Sequence, residues 1–261
     1  MPEANLHDLS GRVSVITGAG SGLGRVFCET MAENGSHVVC ADINEGWAKE
    51  TADIISETGV KAIAVKADVS NLEAVKGLFR KVDDQFGRLD ILINNAGVTT
   101  RGGRIHELPL DHWKKGMGVD LNGVFFCMQE GIKLMLRQKK GTIINLSSSA
   151  GLSGVLPMRS HYSAAKAGVI SLTKVAAVEY GPDNIRVNAI APGMFSGTRL
   201  GESAGSTSAQ TRELIKKVSS VTPLRRVAEP SEMKGLAIYL ASDASSFVTG
   251  AVFVIDGGQT A

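Results

Sequence analysis

The chain has 261 residues, 43% hydrophobic and 21% charged, with 30 glycines and a formal net charge of +2. So even a balance gives no field for nucleic acid or a membrane surface, and no apolar run approaches the roughly 18 residues of a membrane span. The size suits one α/β domain over 1–261. The amino end, MPEANLHDLSGR, lacks the apolar stretch of a leader segment. Cys28, Cys40 and Cys127 sit in apolar stretches without paired spacing, which fits a reducing, cytoplasmic compartment.

The first β-branched run, Arg12–Thr17, predicts a strand that feeds the turn TGAGSGLG (17–24) and a helix over Leu23–Asn34. Gly18, Gly22 and Gly24 permit a tight turn and bring backbone N–H groups at a helix start close to a pyrophosphate. A second strand, His37–Asp42, ends on an acid 20 residues past Gly22, where a carboxylate can hold ribose hydroxyls. The alternative role for Asp42 is to cap the next helix, Glu45–Glu57. Then come strand Ala62–Ala67, helix Leu72–Phe86, strand Leu89–Asn94, one long helix Leu110–Lys139, strand Thr142–Leu146 and helix Tyr162–Tyr180. Strand Arg186–Ala191, a glycine- and serine-rich insertion (196–211), a short polar helix, helix Ser231–Ala241 and strand Ala251–Ile255 complete the chain. Strands alternating with amphipathic helices predict βαβ units on a parallel sheet covered on both faces. On the helix over 162–180, Tyr162 and Lys166 are four residues apart and so share one face.

Beside TGAGSGLG stand DVS (68–70), NNAG (94–97), NLSSSAG (145–151), YSAAK (162–166), PG (192–193) and TGAVFVIDGG (249–258). In this order and spacing the set resembles the short-chain dehydrogenase/reductase family end to end. The resemblance implies a Rossmann-type, doubly wound, seven-stranded parallel sheet with helices on both faces. It also implies a nicotinamide cofactor and hydride transfer between a secondary alcohol and a ketone. Gly18, Ser21, Gly22, Leu23 and Gly24 would hold the pyrophosphate, Asp42 and Ile43 the adenosine side, and Asp68 and Val69 would flank the adenine. Asn95, Ala96 and Gly97 would line the middle of the cofactor, and Pro192, Gly193, Phe195 and Thr198 the nicotinamide. Asp42 would repel a 2′-phosphate, and neither Ser21 nor Ile43-Asn44 supplies a cation for one, so the expected cofactor is NAD.

A free tyrosine titrates at about 10, too high for a base at neutral pH. An ammonium one turn away lowers that value; Lys166 takes this role for Tyr162 and, by resemblance, grips the nicotinamide ribose. Ser148 holds the substrate oxygen. It stands three residues before Gly151, as the family's serine does, but 14 before Tyr162, one more than in many relatives; Ser149 is the fallback and Ser147 a turn residue. Two positions depart from the family. Where an asparagine commonly opens an "NL" pair and anchors a water of the proton relay, this chain has Asp120–Leu121, and Asn122 lies about 200° around the helix. Asp120 is therefore expected at the far end of a relay through Tyr162, Lys166 and a water. Thr198 comes five residues after Gly193 instead of four, leaving Ser196 as its alternative.

The substrate pocket is expected from 98–106, 152–161 and 194–215, under a lid at about 194–220. Leu152, Val155, Leu156, Met158 and Phe195 favour a partly apolar alcohol or ketone, with Leu156, Met158 and Phe195 as contacts beside Ser148. Arg159 either binds a carboxylate or is solvated, and His161 sits next to the tyrosine. The five histidines lack ligand spacing, so no metal site is expected. A non-catalytic NAD-binding scaffold or redox sensor would predict a broken Ser–Tyr–Lys set; a 3-oxoacyl-thioester reductase using NADPH is the other alternative. Apolar and small residues on several faces of helices 110–139 and 162–180 predict a homo-oligomer, by resemblance a tetramer.

Overall fold

The computed structural model describes residues 5–100, 102–154, 158–198 and 207–261. Its seven strands are β1 (Val13–Thr17), β2 (His37–Asp42), β3 (Ala62–Lys66), β4 (Ile91–Asn94), β5 (Gly141–Leu146), β6 (Ile185–Pro192) and β7 (Val252–Ile255). All pair in parallel in the order β3-β2-β1-β4-β5-β6-β7. The chain winds outward from β1 to β3, then returns to the other side of β1 at β4. The carboxyl ends of β1 and β4 therefore flank the crevice where an open parallel sheet binds its ligand.

Period-two alternation divides the buried side chains into two layers. Val13, Val15, Val39, Leu92, Ile143 and Val187 face one side and pack with α3 (Leu72–Phe86), α5 (Gly123–Gln138) and α6 (Ser160–Tyr180). Ile16, Val38, Cys40, Ile91, Ile93 and Ile190 face the other, against α1 (Gly22–Glu33), α2 (Glu45–Ser56) and α8 (Lys234–Ala241). Both faces are covered, which is why the strands read as near-continuous apolar runs. Cys28 of α1 and Cys40 of β2 are free thiols with sulfurs 3.6 Å apart in the second layer.

The predicted strands and the other helices are present with ends moved by at most three residues, the largest shift being the start of α8 at Lys234, after a 3₁₀ turn, instead of Ser231. The long helix is not continuous. It divides into α4 (Leu110–Met117), a π turn (Gly118–Asn122) and α5, with the Gly123 N–H donating to the Gly118 carbonyl five residues back. Three glycines, Gly116, Gly118 and Gly123, cluster at this break. At Gly116 and Gly123 a side chain would run into His161 or Val69, so the helix approaches its neighbours closely there. The polar helix after the insertion, α7 (Ser208–Val221), opens with Thr207 and Gln210 in a reciprocal capping box. Residues 199–206 of the expected lid and Leu156 of the expected pocket lie outside the described residues.

Candidate active site

At the crevice, Thr17 ends β1 and its hydroxyl accepts from the N–H groups of Asn95 and Ala96, each at 3.1 Å. The Asn95 amide returns to the carbonyls of Thr17 (2.9 Å) and Gly18 (3.2 Å). The loop after β4 is thereby laced to the glycine turn. Gly18 has φ 64° and lies so near Ala96 that a Cβ would come within 2.9 Å of its Cα; Gly24 has no room beside the Gly18 carbonyl. The cap residue Ser21 makes no side-chain bond to α1, and the first turn carries no acid. The first N–H groups of that helix are left for an anion. These glycines and free N–H groups fit a dinucleotide pyrophosphate.

Asp42, buried at the end of β2, accepts from Gly20 N (2.9 Å) through one oxygen and from Asn44 N (2.9 Å) through the other. Asn44, not Asp42, caps α2 through Trp47 N. The carboxylate is thus fixed beside the turn with lone pairs to spare. Exposed Ile43 follows it. Asp68 is engaged by Ser70 N and Oγ, while Val69 is buried against Gly123. Thr198 lies against Gly22, 3.4 Å from where a Cβ would stand, whereas Ser196 donates outward to Glu229 at 2.7 Å. Gly193 pairs with β7 through its N–H to Ile255 O (3.0 Å) and directly follows Pro192, the last residue of β6.

Beyond β5, Ser148 and Tyr162 converge, the Ser148 hydroxyl lying near enough to the phenol to favour its ionised form. Ser148 also caps the short turn Ser149–Gly151, accepting from Ala150 N at 3.2 Å. Ser147, predicted as a turn residue, ties β5 to α6 by donating to the Lys166 carbonyl at 2.8 Å. The Lys166 ammonium lies 5.7 Å from the centre of the Tyr162 ring and donates to Leu146 O at 2.9 Å. Burial pushes the Tyr162 phenol above its usual value. Lys166 pulls it down, Asp120 pushes it up, and Ser148 and Arg159 pull it down by less. The lysine thus acts in the expected direction, but burial outweighs it.

Asp120 sits in the π turn, fully buried, with Oδ1 3.5 Å from Lys166 Nζ. The pair is direct, so the expected geometry with a water between them is corrected. The π turn brings the carboxylate up to the ammonium, and Gly97 leaves room: a Cβ there would come within 2.8 Å of Asp120 Oδ1.

The model of the enoyl-(acyl carrier protein) reductase family matches residues 18–260. The chain belongs to the short-chain dehydrogenase/reductase family. It is 41% identical to an uncharacterised oxidoreductase of Bacillus subtilis over 96% of this chain and 91% of that one. It is 38% identical to cis-4-hydroxycyclohexanecarboxylate dehydrogenase of Sinomonas cyclohexanicum over 96% and 97%. The solved structure of an NAD+-bound xylitol dehydrogenase superposes with a TM-score of 0.88 at 31% identity, covering 95% of this chain and 99% of that one. This short-chain dehydrogenase/reductase is accordingly an oxidoreductase of a family that uses a nicotinamide cofactor.

Its substrate side is built from loops. Thr100 joins two of them: its hydroxyl bonds His161 Nε2 at 2.9 Å and its carbonyl accepts from Arg159, while Gly103 N donates to Met158 O at 3.0 Å. Arg159 is therefore neither wholly solvated nor free, and His161 is fully buried. Leu152, Met158 and Ile105 stand exposed around this clamp. Phe195, expected to touch both nicotinamide and substrate, is buried in the layer of α1 and α8, and its backbone bridges to Ala228. Thr17, Thr100 and Gly20 carry much of this architecture; the sequence placed them in the turn 17–24 and the segment 98–106 but gave them no individual role.

Proposed function

We propose that the protein interconverts a secondary alcohol and a ketone with NAD as hydride carrier. The observation that carries this reading is the convergence of Ser148, Tyr162 and Lys166 beyond β5, alongside the glycine crevice. In oxidation, the substrate O–H bond breaks and its proton passes to the Tyr162 phenolate, while Ser148 hydrogen-bonds the same oxygen. Lys166 favours the phenolate by charge. NAD, which the glycine turn and Asp42 would hold, would supply the hydride acceptor for the carbinol carbon, so that substrate oxidation is balanced by cofactor reduction; in the reverse direction the Tyr162 phenol returns a proton to the carbonyl oxygen.

The preference for NAD is supported by Asp42 and by its surroundings. Arg25, beside the glycine turn, is spent on Gly20 O (3.1 Å), Thr51 (3.1 Å) and Glu50 (2.9 Å). The exposed apolar rim and the hydroxycyclohexane-acting relative favour a cyclic or partly apolar alcohol. A 3-oxoacyl-thioester reductase using NADPH is the second reading, favoured by the description of the matching family and opposed by Asp42. A homotetramer is supported by exposed Phe125 on α5, Val175 and Val178 on α6, and Val254 on β7; sedimentation at micromolar concentration tests it. Three unpaired, buried thiols support a reducing compartment such as the cytoplasm, and among the described residues no helix is long and apolar enough to cross a membrane.

The decisive experiment combines a cofactor-coupled screen of cyclic alcohols, ketones and acyl thioesters with Tyr162→Phe. On the best substrate this change is expected to lower kcat at least about a hundredfold, within the usual range for general acid–base catalysis. NADH binding, followed by fluorescence, should survive. Retention of more than a few per cent of kcat would remove Tyr162 from the mechanism.

A further inference from the structure

Among the described residues Asp120 is the one acid buried in the proton-transfer site, and its bonding is incomplete. Oδ1 accepts from Val98 N at 3.1 Å and faces Lys166 at 3.5 Å, while Oδ2 is buried without a hydrogen-bond partner. Burial pushes the Asp120 carboxyl above its usual range, while the Lys166 ammonium and the Val98 N–H favour its ionised form. Once ionised, a carboxylate so enclosed is little screened by solvent, so its charge acts on neighbours at short range. The surrounding charges are few. From α6 come Lys166 and Tyr162, with Arg159 at the helix start and His161 kept neutral by burial. The buried part of α5 offers only Cys127, whose thiol burial pushes up to about 12. From β5 and the loop after β4 come neutral groups: Leu146 O, Ser147, Ser148 and Val98 N. Lys114 and Lys115 of α4 are exposed.

The ammonium that favours the phenolate therefore has a direct counter-ion. We propose that Asp120 is a positioning residue acting through Lys166: it holds the ammonium by a direct ion pair and offsets part of its field at the Tyr162 oxygen, favouring the protonated phenol. That is the form that delivers a proton to a carbonyl oxygen, so Asp120 extends ketone reduction to higher pH and moves alcohol oxidation to more alkaline pH. The equilibrium of the overall reaction is unchanged; the pH at which each direction runs fastest is not. The inference rests on Tyr162 as the proton-transferring group.

The sign is fixed by charge. Replacing the carboxylate with a neutral side chain leaves Lys166 unopposed, favours the phenolate and lowers the phenol's apparent pKa. Asp120→Asn and Asp120→Ser are the test, two neutral variants of different size so that one misfolded protein does not decide it. In each, the lower kinetic pKa in the pH profile of kcat/KM for oxidation should fall by about 0.5 to 1 unit. Oxidation on the acidic limb then speeds about three- to tenfold relative to each variant's own plateau. A spectrophotometric titration of the phenol, with Tyr162→Phe as the blank, should move by the same amount. A purely structural role would lower activity or stability at every pH without moving either titration. Unmoved profiles in both variants, as when Asp120 is already neutral across the working range, overturn the inference while leaving the alcohol–ketone reading intact. Failure of that reading shows separately, as turnover retained by Tyr162→Phe.

Discussion

Around Gly18, Gly22 and Gly24 the site is made of main chain, held by Asn95 and Thr17; around Ile105, Leu152 and Met158 it is made of exposed side chains on clamped loops. Under the proposed function the first region would bind through N–H groups whose directions are set by the fold, and almost any side chain added there is an obstruction. In the second, the backbone is a platform, and under the same reading the side chains would select. Chemistry shared by a family resides in the first kind of region, and the choice of substrate in the second.

Gly24→Ala tests this contrast most severely. The new methyl would collide with the Gly18 carbonyl and stand 2.7 Å from Asn95 Nδ2, both fixed by the crevice. NADH affinity should fall more than about a hundredfold. Overpacking of about 1–3 kcal/mol should lower Tm by about 2–10 °C. A variant that binds NADH normally in fluorescence titration would mean that the turn adjusts, and the contrast would lose its basis. Asp42→Ala comes next: losing hydrogen bonds to a charged group, at about 1.5–3 kcal/mol each, should cut kcat/KM for NAD about ten- to a hundredfold. The value for NADP should hold or rise, narrowing the preference; a greater preference for NAD in the variant would remove Asp42 from discrimination. Met158→Asn is the mildest. Met158 is half exposed at φ 64°, a conformation asparagine tolerates. KM for an apolar substrate should rise about three- to tenfold, the scale of a lost partial apolar contact, with NADH affinity unchanged. If cofactor affinity fell as far as substrate affinity, the two regions would not be separable.

The same contrast explains what could be read from the sequence. The sheet was legible because strands covered on both faces must be apolar throughout, and the nucleotide crevice because main-chain binding forces glycine at fixed positions. Tyr162 and Lys166 were legible because a four-residue spacing on a helix is a distance in space. Their partner Asp120 was visible as a departure, but not its direct contact with Lys166, which depends on a π turn that leaves no distinct pattern in GMGVDLNG. His161 was read as a neighbour of Tyr162 and Arg159 as a carboxylate ligand or a solvated side chain; that Thr100, about sixty residues earlier, bonds both left no mark in the spacing. Phe195 was misplaced because an aromatic side chain after a cofactor-binding PG pair reads the same whether it faces a ligand or the core.

The π turn at 118–122 also bears on how this chain can be recombined. One wide turn is equivalent to a single inserted residue, so α5 is rotated by about 100° from the face it would present as a continuation of α4. The two halves thus keep separate accounts of orientation: Gly116 of α4 meets His161, and Gly131 of α5 meets Leu89 and Leu92. A chimaera joined within this helix must preserve the number of residues between those glycines, whatever else it exchanges. Shortened by one, the graft would have a more regular helix with every downstream contact turned away from its partner.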